Sequence, residues 1–131
     1  MTTLLIIEDD PLILRMYQQA FTFNDKHEAL IADNGVDGLE KAHSEKPDAI
    51  LLDIMMPTMN GLEVLKKLKA DPDTKKIPVI MLTNLGGDKD VQMALKLGAV
   101  KYIVKADVTP KQVLDQVEEI ITASTRDKIP E

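Results

Sequence analysis

The residues able to do chemistry in this chain are few, and they recur at equivalent places. Glu8, Asp9 and Asp10 follow one short apolar run, Asp53 follows a second, Thr83 a third and Lys105 a fourth. Any one of these acids alone reads as a solvated loop residue or a helix cap. Strand ends that offer acids, a hydroxyl and a lysine together read differently, because ligands in an open parallel α/β sheet bind beyond the carboxyl ends of the strands. Glu8, Asp9 and Asp53 gathered there would put three negative charges in one crevice, which is unstable without cations. Lys105 supplies one positive charge, and a hard metal ion would supply the rest. Only oxygen donors are on offer, so Mg2+ is the expected ion: it uses one or two carboxylates and keeps several waters. Asp9, Asp53 and a backbone carbonyl just after Asp53 would serve. With the metal and an ammonium neutralising the transferring oxygens, an Asp53 carboxylate oxygen becomes a competent nucleophile toward phosphorus and would carry the group as an aspartyl phosphate. Asp10 is set apart as a helix cap, because Pro11 follows it.

Positioning these residues requires particular elements. Five apolar runs alternate with five stretches of helical period, and this βαβα pattern predicts a single doubly wound α/β domain: a five-stranded parallel sheet with five helices on its two faces. The expected strands are Leu4 to Ile7, Glu28 to Ala32, Asp48 to Leu52, Pro78 to Leu82 and Lys101 to Val104. The unbroken apolar character of the first, third and fourth is what a strand buried on both faces needs, so these should be central. Apolar stripes at Ile13, Met16, Tyr17 and Ala20, at Leu62, Leu65 and Leu68, and at Val113, Val117, Ile120 and Ile121 mark helices. Asn60, Asp88 and Thr109 are further candidate caps. Gly86 and Gly87 would permit loop motion just past Thr83.

Composition narrows the functional classes. The chain has 131 residues, enough for one domain with its own core, and is 44% hydrophobic and 29% charged. Its apolar runs are strand-length, and no basic stretch followed by a hydrophobic signal segment opens it, so neither membrane insertion nor export is expected. The absence of cysteine excludes thiol chemistry and fits a cytoplasmic location. A formal charge of -6 argues against direct binding to nucleic acid or anionic membrane. His27 and His43 lie away from the strand ends and read as surface or packing residues.

The motifs Leu-Ile-Ile-Glu-Asp-Asp-Pro at 5–11, Leu-Leu-Asp-Ile-Met-Met-Pro-Thr-Met-Asn-Gly at 51–61, Pro-Val-Ile-Met-Leu-Thr at 78–83 and Gly-Ala-Val-Lys-Tyr-Ile-Val-Lys at 98–105 resemble the receiver domains of bacterial response regulators. The resemblance runs from Leu4 to about Thr122. It implies the flavodoxin-like strand order 2-1-3-4-5, Asp53 as phosphoacceptor, Asp9 as a Mg2+ ligand, Glu8 as a direct or water-mediated one, and Met55 as donor of a backbone carbonyl. It also implies that Lys105 pairs with the phosphoryl oxygens. Thr83 and Tyr102 would form a switch pair that reshapes the face of helix four, strand five and helix five. The implied partners are a histidine kinase or phosphotransfer protein upstream, and an effector protein or a missing output domain downstream. Where the family carries a cis proline after the lysine, this chain has Ala106, which leaves the Lys105–Ala106 bond either trans or strained.

The receiver domain is expected over 1–123, with 124–131 a polar tail or the start of a linker. Two other readings compete. A phosphohydrolase working through its own aspartyl phosphate would need a second acid two residues after Asp53, where Met55 stands; a non-phosphorylated receiver-like interaction module would not need the acids at all. A flavin binder of the same sheet order is disfavoured by Glu8, Asp9 and Asp10, which would repel a phosphate.

Overall fold

The central strands are built from residues that leave water completely: Leu4 to Ile7, Ile50, Leu52, Val79, Ile80 and Met81 are all fully buried. The computed structural model describes residues 2–23, 27–84 and 88–128. Over these, β1 (Thr2–Ile7), α1 (Pro11–Thr22), β2 (His27–Ala32), α2 (Gly35–Glu45), β3 (Ala49–Asp53), α3 (Gly61–Ala70), β4 (Val79–Thr83), α4 (Asp88–Leu97), β5 (Lys101–Val104) and α5 (Pro110–Lys128) follow in order. All strand pairings are parallel, in the order β2-β1-β3-β4-β5. This is the expected doubly wound sheet, with β1, β3 and β4 inside it.

Period-two alternation divides the core between the two faces. Leu4, Ile6, Leu51, Ile80 and Leu82 pack with Leu14, Tyr17, Phe21, Val113 and Val117 of α1 and α5. Leu5, Ile7, Ile50, Leu52, Val79 and Met81 pack with Ala42, Val64, Leu65, Leu68 and Ala94 of α2, α3 and α4. Burying one such Leu or Ile is worth ~1.5–3 kcal/mol, so these two layers are the source of the scaffold's rigidity.

Helix starts follow side-chain chemistry. Asp10 Oδ1 accepts from the Leu12 and Ile13 amides at 2.9 and 3.4 Å, with Pro11 at the first helical position. Asn60 Oδ1 accepts from Leu62 N at 2.7 Å. Thr109 and Gln112 form a reciprocal capping box, with Gln112 N donating to Thr109 Oγ1 at 3.2 Å and Thr109 N to Gln112 Oε1 at 2.9 Å. Asp88 is the first residue of α4 itself, and Gly86 and Gly87 lie outside the described residues.

Several boundaries differ from the sequence expectation, three of them with consequences. β3 and β4 each run one residue further, because Asp53 still pairs in register with Leu82 and Thr83 with Val104. The two polar side chains are therefore anchored on strand backbone and not on loops. α5 continues through Lys128, so residues 124–128 are helical.

Candidate functional site

Asp53 ends the central strand β3 and is only 2% exposed; Glu8, directly after β1, is equally buried. Thr83 closes β4 at 3% exposure. Lys105 opens a short 3-10 turn, Lys105–Asp107, immediately after β5. Its ammonium reaches into the crevice, 2.7 Å from Glu8 Oε2 and 3.4 Å from Asp53 Oδ1. Backbone amides complete the frame: Met55 N donates to Asp53 Oδ1 at 3.4 Å, and Asp10 N to Glu8 Oε1 at 3.2 Å. Oxygens of Glu8, Asp9 and Asp53 lie within 4.8 Å of one another. Among the described residues the Lys105–Ala106 bond is trans, as no cis peptide occurs.

The electrostatics follow from this crowding. Burial pushes the Glu8 carboxyl up to about 7, against the pull of its hydrogen bond from Lys105; the neighbouring Asp53 charge adds to the rise. Asp53 is also raised, first by burial, with Lys105 opposing. For Lys105, burial acts downward, but the Glu8 hydrogen bond and the Asp53 and Glu8 charges outweigh it and the net shift is upward. The two acids are thus poorly neutralised by one lysine.

That shortfall tests the fit of a metal. Three carboxylates against one ammonium leave a formal charge of two negatives, and the donor set is oxygen only with one exposed member, Asp9. These features suit a hard divalent cation that retains waters. A second carboxylate–imidazole group, His43, Asp71 and Asp73, sits on the surface between α2 and the α3–β4 connection, with His43 Nε2 3.1 Å from Asp73 Oδ2.

The structure therefore brings together Glu8, Asp9, Asp53 and Lys105, with Thr83 on the adjoining strand end. Met55, two residues after Asp53, is 62% exposed and has its amide tied to the Asp53 carboxylate. Tyr102 does not join the cluster. It is 37% exposed and lines an outward groove of about 490 Å3 with Leu95, Val100, Val108 and Gln116. Both histidines are packing or surface residues: the His27 ring stacks on Phe21 at 4.4 Å and its Nε2 lies 3.0 Å from Glu118 Oε1.

Two contributors were not anticipated. Tyr17, buried on α1, has its hydroxyl pKa raised by burial and feels the charges of Lys105, Glu8 and Asp53, so it borders the cluster electrically. Gly61 lies against the Asp53 main chain: a Cβ there would stand 2.1 Å from Asp53 O and 2.7 Å from Ile54 Cα. A glycine straight after the Asn60 cap, where most residues would serve a helix better, is the sequence signal for it.

The comparisons with known proteins agree with this geometry. The sequence profile described as the response regulator receiver domain matches residues 4–118. Protein PilH of Pseudomonas aeruginosa is 38% identical over 106 residues, 80% of this chain and 86% of that protein. Chemotaxis protein CheY1 of Helicobacter pylori is 35% identical over 119 residues, 90% of this chain and 95% of that one. The transcriptional regulatory protein AfsQ1 of Streptomyces coelicolor is 37% identical over 80% of this chain, which spans 45% of AfsQ1. A CheY-like receiver domain structure from Methanospirillum hungatei superposes with a TM-score of 0.87 at 30% identity, covering 97% of this chain and 98% of that one. The chain belongs to the response regulator receiver domain family, whose members are signalling proteins rather than enzymes in the ordinary sense. Magnesium binding at an acidic pocket is general to the family. No described helix is long and apolar enough to cross a membrane.

Proposed function

We propose that this chain is a phosphoacceptor switch in which Asp53 receives a phosphoryl group from a histidine kinase or phosphotransfer protein. The observation that carries the reading is the setting of Asp53: 2% exposed, ending a central strand, 3.4 Å from the Lys105 ammonium and grouped with the oxygens of Glu8 and Asp9. An Asp53 carboxylate oxygen attacks phosphorus as the bond to the donor nitrogen or oxygen breaks, and the bonding pair leaves with the donor. Lys105 shifts toward the new phosphoryl oxygens, and Met55 N holds the carboxylate in line. Asp9, Asp53, the Met55 carbonyl and Glu8, directly or through water, would hold Mg2+, which supplies charge neutralisation at the transferring group.

The Thr83 hydroxyl, buried one strand over, is the group we assign to follow the phosphoryl, with Tyr102 moving from its exposed position as the readout. The outward groove beside Tyr102 makes the α4-β5-α5 face the natural surface for an effector protein or output domain. We infer a cytoplasmic protein, in keeping with phosphodonors of that compartment. A phosphohydrolase is disfavoured because Met55, not an acid, occupies the general-acid position. A non-phosphorylated module is disfavoured because the acids and the lysine are all present at the crevice.

The test is intact mass after incubation with acetyl phosphate, with and without Mg2+, on wild type and Asp53→Asn. The expected result is one base-labile phosphoryl adduct requiring both the metal and Asp53. An adduct that survives Asp53→Asn, or none even with beryllofluoride as a stable mimic, would sink the assignment.

A further inference from the structure

The chain has two histidines and no cysteine, so a metal that favours nitrogen or sulfur over hard oxygen has few side chains to choose from. The His27 ring is stacked on Phe21 and largely buried. His43 stands exposed on the last turn of α2, its Nε2 3.1 Å from Asp73 Oδ2. Asp71 adds a third donor: His43, Asp71 and Asp73 each offer a ligand atom, and these atoms all lie within 4.8 Å of one another. The end of α2 and the α3–β4 connection both lie at the amino ends of the strands, so this group and the acidic crevice occupy opposite ends of the sheet.

Two observations set the group apart from an ordinary surface ion pair. The first is missing charge. Lys66, Lys67, Lys69, Lys75 and Lys76 surround the two acids in sequence, yet among the described residues no lysine or arginine pairs with Asp71 or Asp73. Lys69 instead turns its ammonium to the carbonyls of Lys75 and Ile77, at 2.9 Å each. Two carboxylates therefore share one imidazole and no full positive charge. The second is that the donors sit on two fixed elements. Asp71 O accepts from the Thr74 and Lys75 amides at 3.1 and 2.9 Å, and the buried Thr74 hydroxyl donates to Leu68 O at 2.7 Å, which pins the turn to the end of α3. Imidazole and carboxylates thus meet across separate elements without any loop having to close.

We propose that His43, Asp71 and Asp73 form a second metal site, one that takes a divalent transition metal of the Zn2+ class and ties the end of α2 to the α3–β4 connection. Ligand atoms ~2.0–2.1 Å from a tetrahedral Zn2+ stand ~3.3 Å apart, and the His43 and Asp73 atoms are already 3.1 Å apart. On binding, the neutral imidazole gives its Nε2 lone pair to the metal and keeps its proton on Nδ1, so the hydrogen bond to Asp73 is exchanged for two metal bonds. The two carboxylates neutralise the ion, and the exposed setting leaves a fourth position to water. Donor chemistry separates the two sites: the all-oxygen crevice suits Mg2+, whereas a nitrogen donor favours Zn2+.

The experiment titrates Zn2+ into the full chain by calorimetry, with Mg2+ in excess to occupy the acidic crevice, on wild type, His43→Gln and Asp73→Asn. Ring-nitrogen NMR of the two histidines locates the ion. Wild type should bind one Zn2+ under these conditions, with the His43 ring resonances shifting and those of His27 unmoved. Each variant should bind about tenfold or more weakly. Zn2+ should raise the melting temperature of wild type and not of His43→Gln. Both replaced side chains are more than half exposed, so metal-free urea midpoints and acetyl phosphate labelling should match wild type, which separates loss of a ligand from loss of the fold. No Zn2+ binding in excess Mg2+, wild-type affinity in His43→Gln or Asp73→Asn, or Zn2+ shifts confined to His27 would each overturn the proposal.

Discussion

Replacing Gly61 by alanine tests how closely the site depends on backbone packing. The added Cβ would stand 2.1 Å from Asp53 O, 2.7 Å from Ile54 Cα and 2.9 Å from Asp53 C. All three are main-chain atoms, so no side chain can swing aside. Ordinary carbon–oxygen contact begins above ~3 Å, and α3 must therefore move by on the order of 1 Å from β3. Overpacking of this kind costs roughly 1–3 kcal/mol, and alanine's better helix propensity returns at most ~1 kcal/mol. A net loss of about 1–2 kcal/mol lowers the urea midpoint by roughly 0.5–1 M. Movement of the Asp53 peptide by even part of that distance should slow acetyl phosphate labelling by up to ~100-fold. Gly98→Ala is the control: its φ of 112° strains any other residue, but its Cβ would meet only the flexible Lys69 stem at 3.3 Å or more. That variant should lose ~1–2 kcal/mol and label normally. If Gly61→Ala unfolds at the wild-type urea midpoint and labels at the wild-type rate, the close contact under Asp53 is not what fixes the site.

Three further outcomes follow from the charges. Glu8 has a folded pKa of about 7 against an ordinary 4.5; the native state therefore holds an extra proton between these values, and metal-free stability falls as pH rises through that window. At ~1.4 kcal/mol per pKa unit the whole effect is roughly 3 kcal/mol, and Glu8→Gln should remove it from urea midpoints compared at pH 5 and 8; an unchanged pH slope would contradict the burial argument. Lys105→Met leaves two buried acids without their cation and should cost ~3–5 kcal/mol at pH 8, with partial recovery at pH 5 as they take up protons. Equal losses at both pH values would count against the pairing. Mg2+ at a hundredfold excess over its Kd should stabilise wild type by about 2.7 kcal/mol in thermal melts. Asp9→Asn, at an exposed position, should leave metal-free stability alone and weaken that gain; a full gain would exclude Asp9 as a ligand.

Backbone-determined features were the ones legible in the sequence. Short apolar runs such as Leu4 to Ile7, alternating with helical stretches, read as strands covered on both faces, and once the sheet is parallel its carboxyl ends gather Glu8, Asp9, Asp53, Thr83 and Lys105. Side-chain geometry was legible only in part. Gly61 after the Asn60 cap signals a close approach of some kind, but not that its neighbour is the Asp53 carbonyl, because that contact arises from helix-on-sheet packing. The apolar stripe that includes Tyr17 predicted its burial but not its proximity to three charges, which depends on how α1 packs across β1 and β2.

The resting partner of Lys105 was also hidden, and it bears on the switch. Spacing and resemblance aim the lysine at the phosphoryl oxygens, whereas its ammonium sits 2.7 Å from Glu8 and 3.4 Å from Asp53. Glu8 is the nearer acid, and Asp10 N fixes its other oxygen. In the proposed reaction a phosphoryl group on Asp53 would draw Lys105 away from a buried carboxylate, and that transfer is favoured when another positive charge takes the lysine's place beside Glu8. A divalent cation held by Asp9 and Asp53 would do so. Under that proposal phosphorylation and metal binding would be linked through Glu8, and a Glu8→Gln variant should need the metal less for the movement of Lys105 even where it binds the metal more weakly.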